Sequence, residues 1–154
     1  LWLTLLLAPP LDAAEPIWLT DLAKAQAQAG KEKKMILMNF TGSDWCGWCK
    51  KLRAEVFTAA PFVEYANKNV VLVEVDFPRK KQTDDLKRAN AELKKTYAST
   101  DGYPTLVVLK QAANGAWKPA WKQVGARISD EPKPANAPED PKAWIAKLDE
   151  IRKK

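Results

Sequence analysis

The stretch Met35-Ile-Leu-Met-Asn-Phe-Thr-Gly-Ser-Asp-Trp-Cys-Gly-Trp-Cys-Lys50 decides how the chain is read. Met35 to Phe40 is a short apolar run ending at a Gly/Ser turn, the pattern of a buried strand. A helix is predicted from Cys46 to about Phe57, with Cys49, Leu52 and Val56 on one face at i, i+3 and i+7. The first turn of such a helix leaves N–H groups without partners, and these favour negative charge on the Cys46 sulfur. Two intervening residues let Cys49 come within disulfide reach of Cys46. Because Cys49 shares the inward face with Leu52 and Val56, Cys46 reads as the exposed attacking thiol and Cys49 as the shielded resolving thiol. Lys50, Lys51 and Arg53 add positive charge, which lowers a neighbouring thiol pKa.

Composition narrows the chemistry further. The 154 residues contain two Cys and no His, so no Ser-His or Cys-His pair, His-ligated metal or imidazole acid–base catalyst can be assembled within the chain. Haem attachment needs His after the second Cys, where Lys50 stands. A closed zinc site needs two more Cys or His, which leaves only a metal shared between chains. A purely structural bridge is a poor account of Cys46 and Cys49, since so small a loop removes little entropy from the unfolded chain. Net charge is +6, which favours acidic partners without defining a nucleic-acid site. No RNA-stacking motif or basic recognition helix accompanies it.

Outward from the cysteines, the chain is sized for one domain. Residues 1–14 (Leu-Trp-Leu-Thr-Leu-Leu-Leu-Ala, then Pro-Pro and Leu-Asp-Ala-Ala) read as a truncated secretory signal peptide, with the mature domain spanning 15–154. The apolar run is too short to cross a membrane. Thr20 or Asp21 caps a helix from Leu22 to about Ala29, with Gly30 as its stop. Pro61 opens a helical turn through Tyr65. Val70 to Val75 is the clearest strand. Thr83 to Ala98 carries a helical stripe of Leu86, Ala89, Leu93 and Tyr97. Thr105 to Leu109 and Trp117 to Val124 pair antiparallel across Asn114-Gly115. Ser129 to Pro141 is a Pro-rich loop, and Asp140-Pro141 caps a last helix with Trp144, Leu148 and Ile151 inward. Trp117 and Trp121 read as core. This order packs as an α/β fold, a central mixed four-stranded sheet with helices on both faces.

Phe40 to Lys50, together with Gly102-Tyr103-Pro104-Thr105, resembles the thioredoxin superfamily, and its exported bacterial members most of all. The resemblance covers about Ile17 to Val124, and the last helix fits the family's closing helix. It implies a thioredoxin fold, a redox-active Cys46–Cys49 pair supported by Gly47 and Lys50, and no other cofactor. It implies also that Pro104 is cis and lies against the disulfide, and that Tyr103 offers its backbone to the substrate chain. Trp45 and Trp48 join Tyr103 as an apolar collar for an extended partner segment, though Trp45 reads equally as packing beside the helix. The pattern departs from the family at Asn39, where a buried Asp is usual, at Leu72 for its partner Lys, and at Gly47-Trp48 for Gly-Pro. The proton acceptor for Cys49 is therefore open. Glu74, Glu55 or a water is available, but both glutamates read first as solvated surface groups.

The function implied is thiol–disulfide exchange with partner proteins of the cell envelope, in the reducing direction. It would be carried out by an exported, monomeric, periplasmic or extracytoplasmic protein served by an upstream thiol redox partner. Two other classes stay open. One is a non-catalytic interaction module with silent thiols; the other is a dithiol carrier of Cu(I).

Overall fold

Strands form where β-branched and apolar residues run together, and the middle ones are buried on both faces. In the computed structural model, which describes residues 15–128, 133–134 and 136–154, Met35–Thr41 (β2) is buried throughout. Residues 1–14, read above as an export signal, and part of the Pro-rich loop lie outside the described residues. β2 pairs in parallel with Val70–Asp76 (β3) and antiparallel with Thr105–Gln111 (β4), which pairs antiparallel with Trp117–Val124 (β5). Gly115 has φ 84° in the hairpin between them, the left-handed conformation that glycine adopts without steric cost.

A two-residue strand, Trp18–Leu19 (β1), adds to β3 in parallel. Among the described residues the sheet therefore has five strands, ordered β1-β3-β2-β4-β5, where sequence reasoning expects four. Two residues carry no alternation to read; β1 exists because Leu72 and Val73 offer a free edge.

Alternation along the strands divides the core. Leu37, Leu72, Leu106 and Val108 face the helices Gly47–Leu52 (α2), Ala60–Asn69 (α3) and Pro141–Lys153 (α5). Ile36, Met38, Phe40, Val73 and Val107 face Leu22–Glu32 (α1) and the end of Asp84–Leu93 (α4). The mixed sheet with helices on both faces is thus the architecture the element order implies.

Local differences have local causes. Gly30 does not stop α1; it lies inside the helix against the Gln111 side chain, and Lys33 in the left-handed region ends it. α3 continues past Tyr65 to Asn69. α2 and α4 each run on into a π turn, Arg53–Phe57 and Lys94–Ala98, closed by Thr58 N–H on the Arg53 carbonyl and Ser99 N–H on the Lys94 carbonyl. On α4 the inward position is Asn90, not Ala89, because the Asn90 amide donates to the Asp76 carbonyl at 2.9 Å. Trp144, Leu148 and Ile151 are buried as the helical spacing requires, and the Trp144 indole donates to the Ala126 carbonyl. Trp117 and Trp121 are partly buried, packed against the two core clusters.

Candidate active site

Two carboxylates tie the segment between β2 and α2 to the end of β3 and the loop that follows it. Asp76, at the end of β3, accepts from the Ser43 N–H at 3.0 Å and from its hydroxyl at 2.5 Å. Asp44 accepts from the N–H groups of Arg79 and Lys80, both at 2.9 Å, and those donors hold its carboxyl below the usual range. The Trp45 indole lies over Gly42 and donates to the Phe77 carbonyl at 2.8 Å. The two loops are thereby stitched into one rim.

Cys46 and Cys49 form a disulfide with their Cα atoms 5.2 Å apart. Cys46 is the N-cap of α2, and its sulfur accepts from the Cys49 N–H at 3.2 Å. That donor is one of the helix's four unpartnered N–H groups, and it stabilises a thiolate at Cys46 once the disulfide is reduced. Exposure does not separate the two cysteines as expected, since Cys46 is 6% and Cys49 4% exposed. What differs is position: Cys46 caps the helix tip, whereas Cys49 lines an inner cleft with Asn39 and Glu74. Of the three nearby cations, Lys51 is engaged by Glu55 at 2.8 Å and Arg53 by Glu74 and Glu15, both at 3.5 Å. Lys50 remains on the cleft wall.

The Tyr103–Pro104 peptide is cis, as the family resemblance implies. Tyr103 meets the Trp45 ring edge-on at 5.4 Å between centroids, which brings this loop against the rim beside the disulfide. Gly125 N–H donates to the Pro104 carbonyl at 2.7 Å, tying it to the end of β5. Trp48 is 43% exposed and faces a shallow groove of about 300 Å³ shared with Tyr103, Val124 and Arg127. Each ring of the collar carries a cation: Arg79 over Trp45, Lys94 over Tyr103 and Arg127 over Trp48. Arg127 is itself oriented by the buried Glu139 carboxylate at 3.2 Å. Trp45, with its N–H used and Gly42 beneath it, braces the rim; Trp48 is the ring left open. Gly47 is exposed, and a Cβ added there would meet open space.

Glu55 stands partly exposed at the surface, whereas Glu74 is not a solvated surface group. Glu55 bonds Lys51 and the Glu139 N–H, which lower its pKa. Glu74 is largely covered, and burial, helped by repulsion from Asp76, pushes its pKa up against the opposing pull of Arg53. Sequence reasoning underrates Glu74 because it alternates correctly on a strand and gives no sign of what β1 and the π turn place around it. Among the described residues no cluster of three or more Cys, Asp or Glu stands together as a metal site, and no helix is long and apolar enough to cross a membrane.

Because Gly42 sits under the Trp45 ring, a Cβ there would come within 2.3 Å of the indole. Gly42→Ala is expected to displace Trp45, costing about 1–3 kcal/mol and loosening the rim. A lower thermal midpoint together with a changed Trp fluorescence spectrum would register it; an unchanged spectrum would refute the bracing role.

A sheet of this topology, a disulfide capping the helix after its central strand and a cis-proline loop beside it define a thiol–disulfide oxidoreductase. The chain belongs to the thioredoxin-like family, whose family model matches residues 17–111. It is 36% identical over 115 residues to the disulfide bond reductase DsbH of Chlamydia pneumoniae, a match covering 71% of this chain and 68% of that protein. It is 30% identical over 116 residues to the thioredoxin-related protein DsbJ of the same organism, covering 69% of this chain and 33% of that protein. Among solved structures, a DsbH oxidoreductase superposes with TM-score 0.75 at 29% identity, covering 99% of this chain and 94% of that one. A thioredoxin from Thermus thermophilus shares the fold at TM-score 0.63 and 18% identity, covering 89% of this chain and 87% of that one.

Proposed function

We propose that this protein is a reductase of protein disulfides that works outside the cytoplasm as a monomer, with the Cys46–Cys49 pair as its only redox group. The observation that carries this reading is the placement of Cys46 as N-cap of α2, its sulfur on the Cys49 N–H, with Cys49 behind it on the inner cleft. Cys46 thiolate attacks a partner disulfide and forms a mixed disulfide; Cys49 displaces the reduced partner and closes the Cys46–Cys49 bond. Trp48, Tyr103 and Pro104 line the partner's path, Trp45 supports them, and Gly47 and Lys50 complete the motif. The reducing direction is supported by the likeness to a disulfide bond reductase. Residues 1–14 serve as the export signal, and an upstream dithiol donor regenerates the reduced pair.

The direction is tested by titrating the Cys46–Cys49 couple in glutathione or dithiothreitol buffers and following Trp fluorescence. A potential near about −270 mV is expected of a reductant. A value of about −120 to −180 mV would make the protein a disulfide donor or isomerase instead. No reversible couple would mean an interaction module with silent thiols.

A further inference from the structure

The resolving step requires Cys49 to lose a proton while it is 4% exposed. A cleft of about 180 Å³ lies on the inner side of Cys49, and Asn39, Thr41, Arg53, Phe57 and Glu74 are among the residues that line it. That is room for a few water molecules, and the polar side chains are the partners such waters need. Asn39 and Glu74 are directly paired across the parallel β2–β3 ladder. The Asn39 side-chain oxygen is buried and accepts no hydrogen bond from any described protein group, which leaves an unsatisfied acceptor on a residue of the cleft lining.

Glu74 contributes the one carboxylate to this lining. The groups facing it are few. Asp76 follows two positions on along β3, Arg53 reaches it from the π turn at 3.5 Å and is shared with Glu15, and Lys50 lies on the cleft wall from α2. Lys50 is a donor with no lone pair when charged, and Asn39 and Thr41 do not titrate, so neither kind of group can take up the thiol's proton.

We propose that Glu74, through water held in this cleft by Asn39, is the proton acceptor for Cys49 in the resolving step. This inference rests on the thiol–disulfide exchange reading above and deepens it. In the mixed disulfide between Cys46 and a partner, the Cys49 S–H passes its proton by way of water to the Glu74 carboxylate. The resulting thiolate attacks the Cys46 sulfur, the Cys46–Cys49 bond forms, and the bond from Cys46 to the partner breaks. The electron pair leaves on the partner sulfur, which is protonated from solvent. Glu74 releases its proton through the cleft mouth. Two protein thiols are oxidised and one partner disulfide is reduced to two thiols. In reverse, protonated Glu74 returns the proton to Cys49 as the disulfide opens. Burial brings the Glu74 carboxyl nearer to a thiol in proton affinity than an exposed glutamate is, which makes the transfer less uphill.

The test is a single-turnover reaction of the reduced protein with an aromatic disulfide whose thiol is coloured on release. The first release reports attack by Cys46, and the second reports resolution by Cys49. Glu74→Gln is expected to leave the first phase unchanged and to slow the second about 10²-fold near neutral pH. The variant should converge with the parent at alkaline pH, where Cys49 ionises unaided. Parent resolution should fall as pH drops through the raised Glu74 pKa, whereas the Gln variant should climb steadily with pH until the thiol ionises. Glu74→Asp, which keeps the carboxylate, should recover the parent profile at reduced amplitude. A second phase slowed equally at every pH, or not slowed in Glu74→Gln, would overturn the proposal. Loss of the first phase in the parent would overturn the exchange reading itself.

Discussion

Cys46→Ser is expected to reduce disulfide-reducing turnover to the uncatalysed background, while Cys49→Ser accumulates a covalent complex with the partner. The asymmetry follows from position along α2. Cys46 caps the helix and receives the Cys49 N–H at 3.2 Å, so its sulfur is stabilised as an anion and begins the exchange. A serine hydroxyl there ionises far too weakly to replace it. Cys49 is needed only to break the mixed disulfide; without it the first bond forms and stays. Insulin reduction measures the first effect, and a non-reducing gel the second. Retained turnover in Cys46→Ser, or a trapped complex through Cys46 that fails to form in Cys49→Ser, would refute the assignment. Because the two cysteines are almost equally covered, this experiment separates their roles where exposure does not.

The parts legible from residue order are those set by local periodicity and capping. β2, β3 and β4 follow from their apolar runs, and β5 from the Asn114-Gly115 turn signal that precedes it. Asp21, Thr83 and Asp140 cap their helices as their chemistry suggests. Cys46 and Cys49 bond as their spacing allows, and Pro104 is cis as the likeness to the family implies. What escapes notice depends on contacts distant along the chain. β1 is too short for a pattern and is defined by Leu72 and Val73 across the ladder. The π turns contain neither Pro nor Gly to announce them. Asn90 replaces Ala89 on the inner face because of a carbonyl fourteen residues earlier. Glu74 is turned from an ordinary strand residue into a cleft group by Arg53, Trp18 and Asn39, none of which is its sequence neighbour. The core of the site is thus local, and its proton chemistry is not.

Phe57 joins these distant pieces, and its truncation should cost more stability than any surface change at the site. It closes the π turn after α2 and is 1% exposed. Its ring lies 5.1 Å from Trp18 of β1, 5.1 Å from Phe62 of α3 and 6.1 Å from Trp144 of α5, centroid to centroid. Three elements that meet nowhere in sequence therefore pack on one side chain. Phe57→Ala removes that ring and leaves a cavity whose other walls are large rigid aromatics, poorly able to collapse inward. The expected loss is about 3–5 kcal/mol, a large share of the roughly 5–15 kcal/mol that holds a domain folded. Phe57→Leu, which keeps most of the volume, should lose less than about 1.5 kcal/mol. Urea unfolding measures both, provided the slope with denaturant is unchanged. Phe57 also lines the cleft beneath Cys49, so the alanine cavity opens onto the proton path. At concentrations of urea where Phe57→Ala is still folded, the Cys49 step should therefore lose its dependence on Glu74, because water enters from the core side. Stability within about 1 kcal/mol of the parent would mean that the aromatic cluster does not hold β1 and α5 to the site, and that the cleft owes its shape to the strands alone.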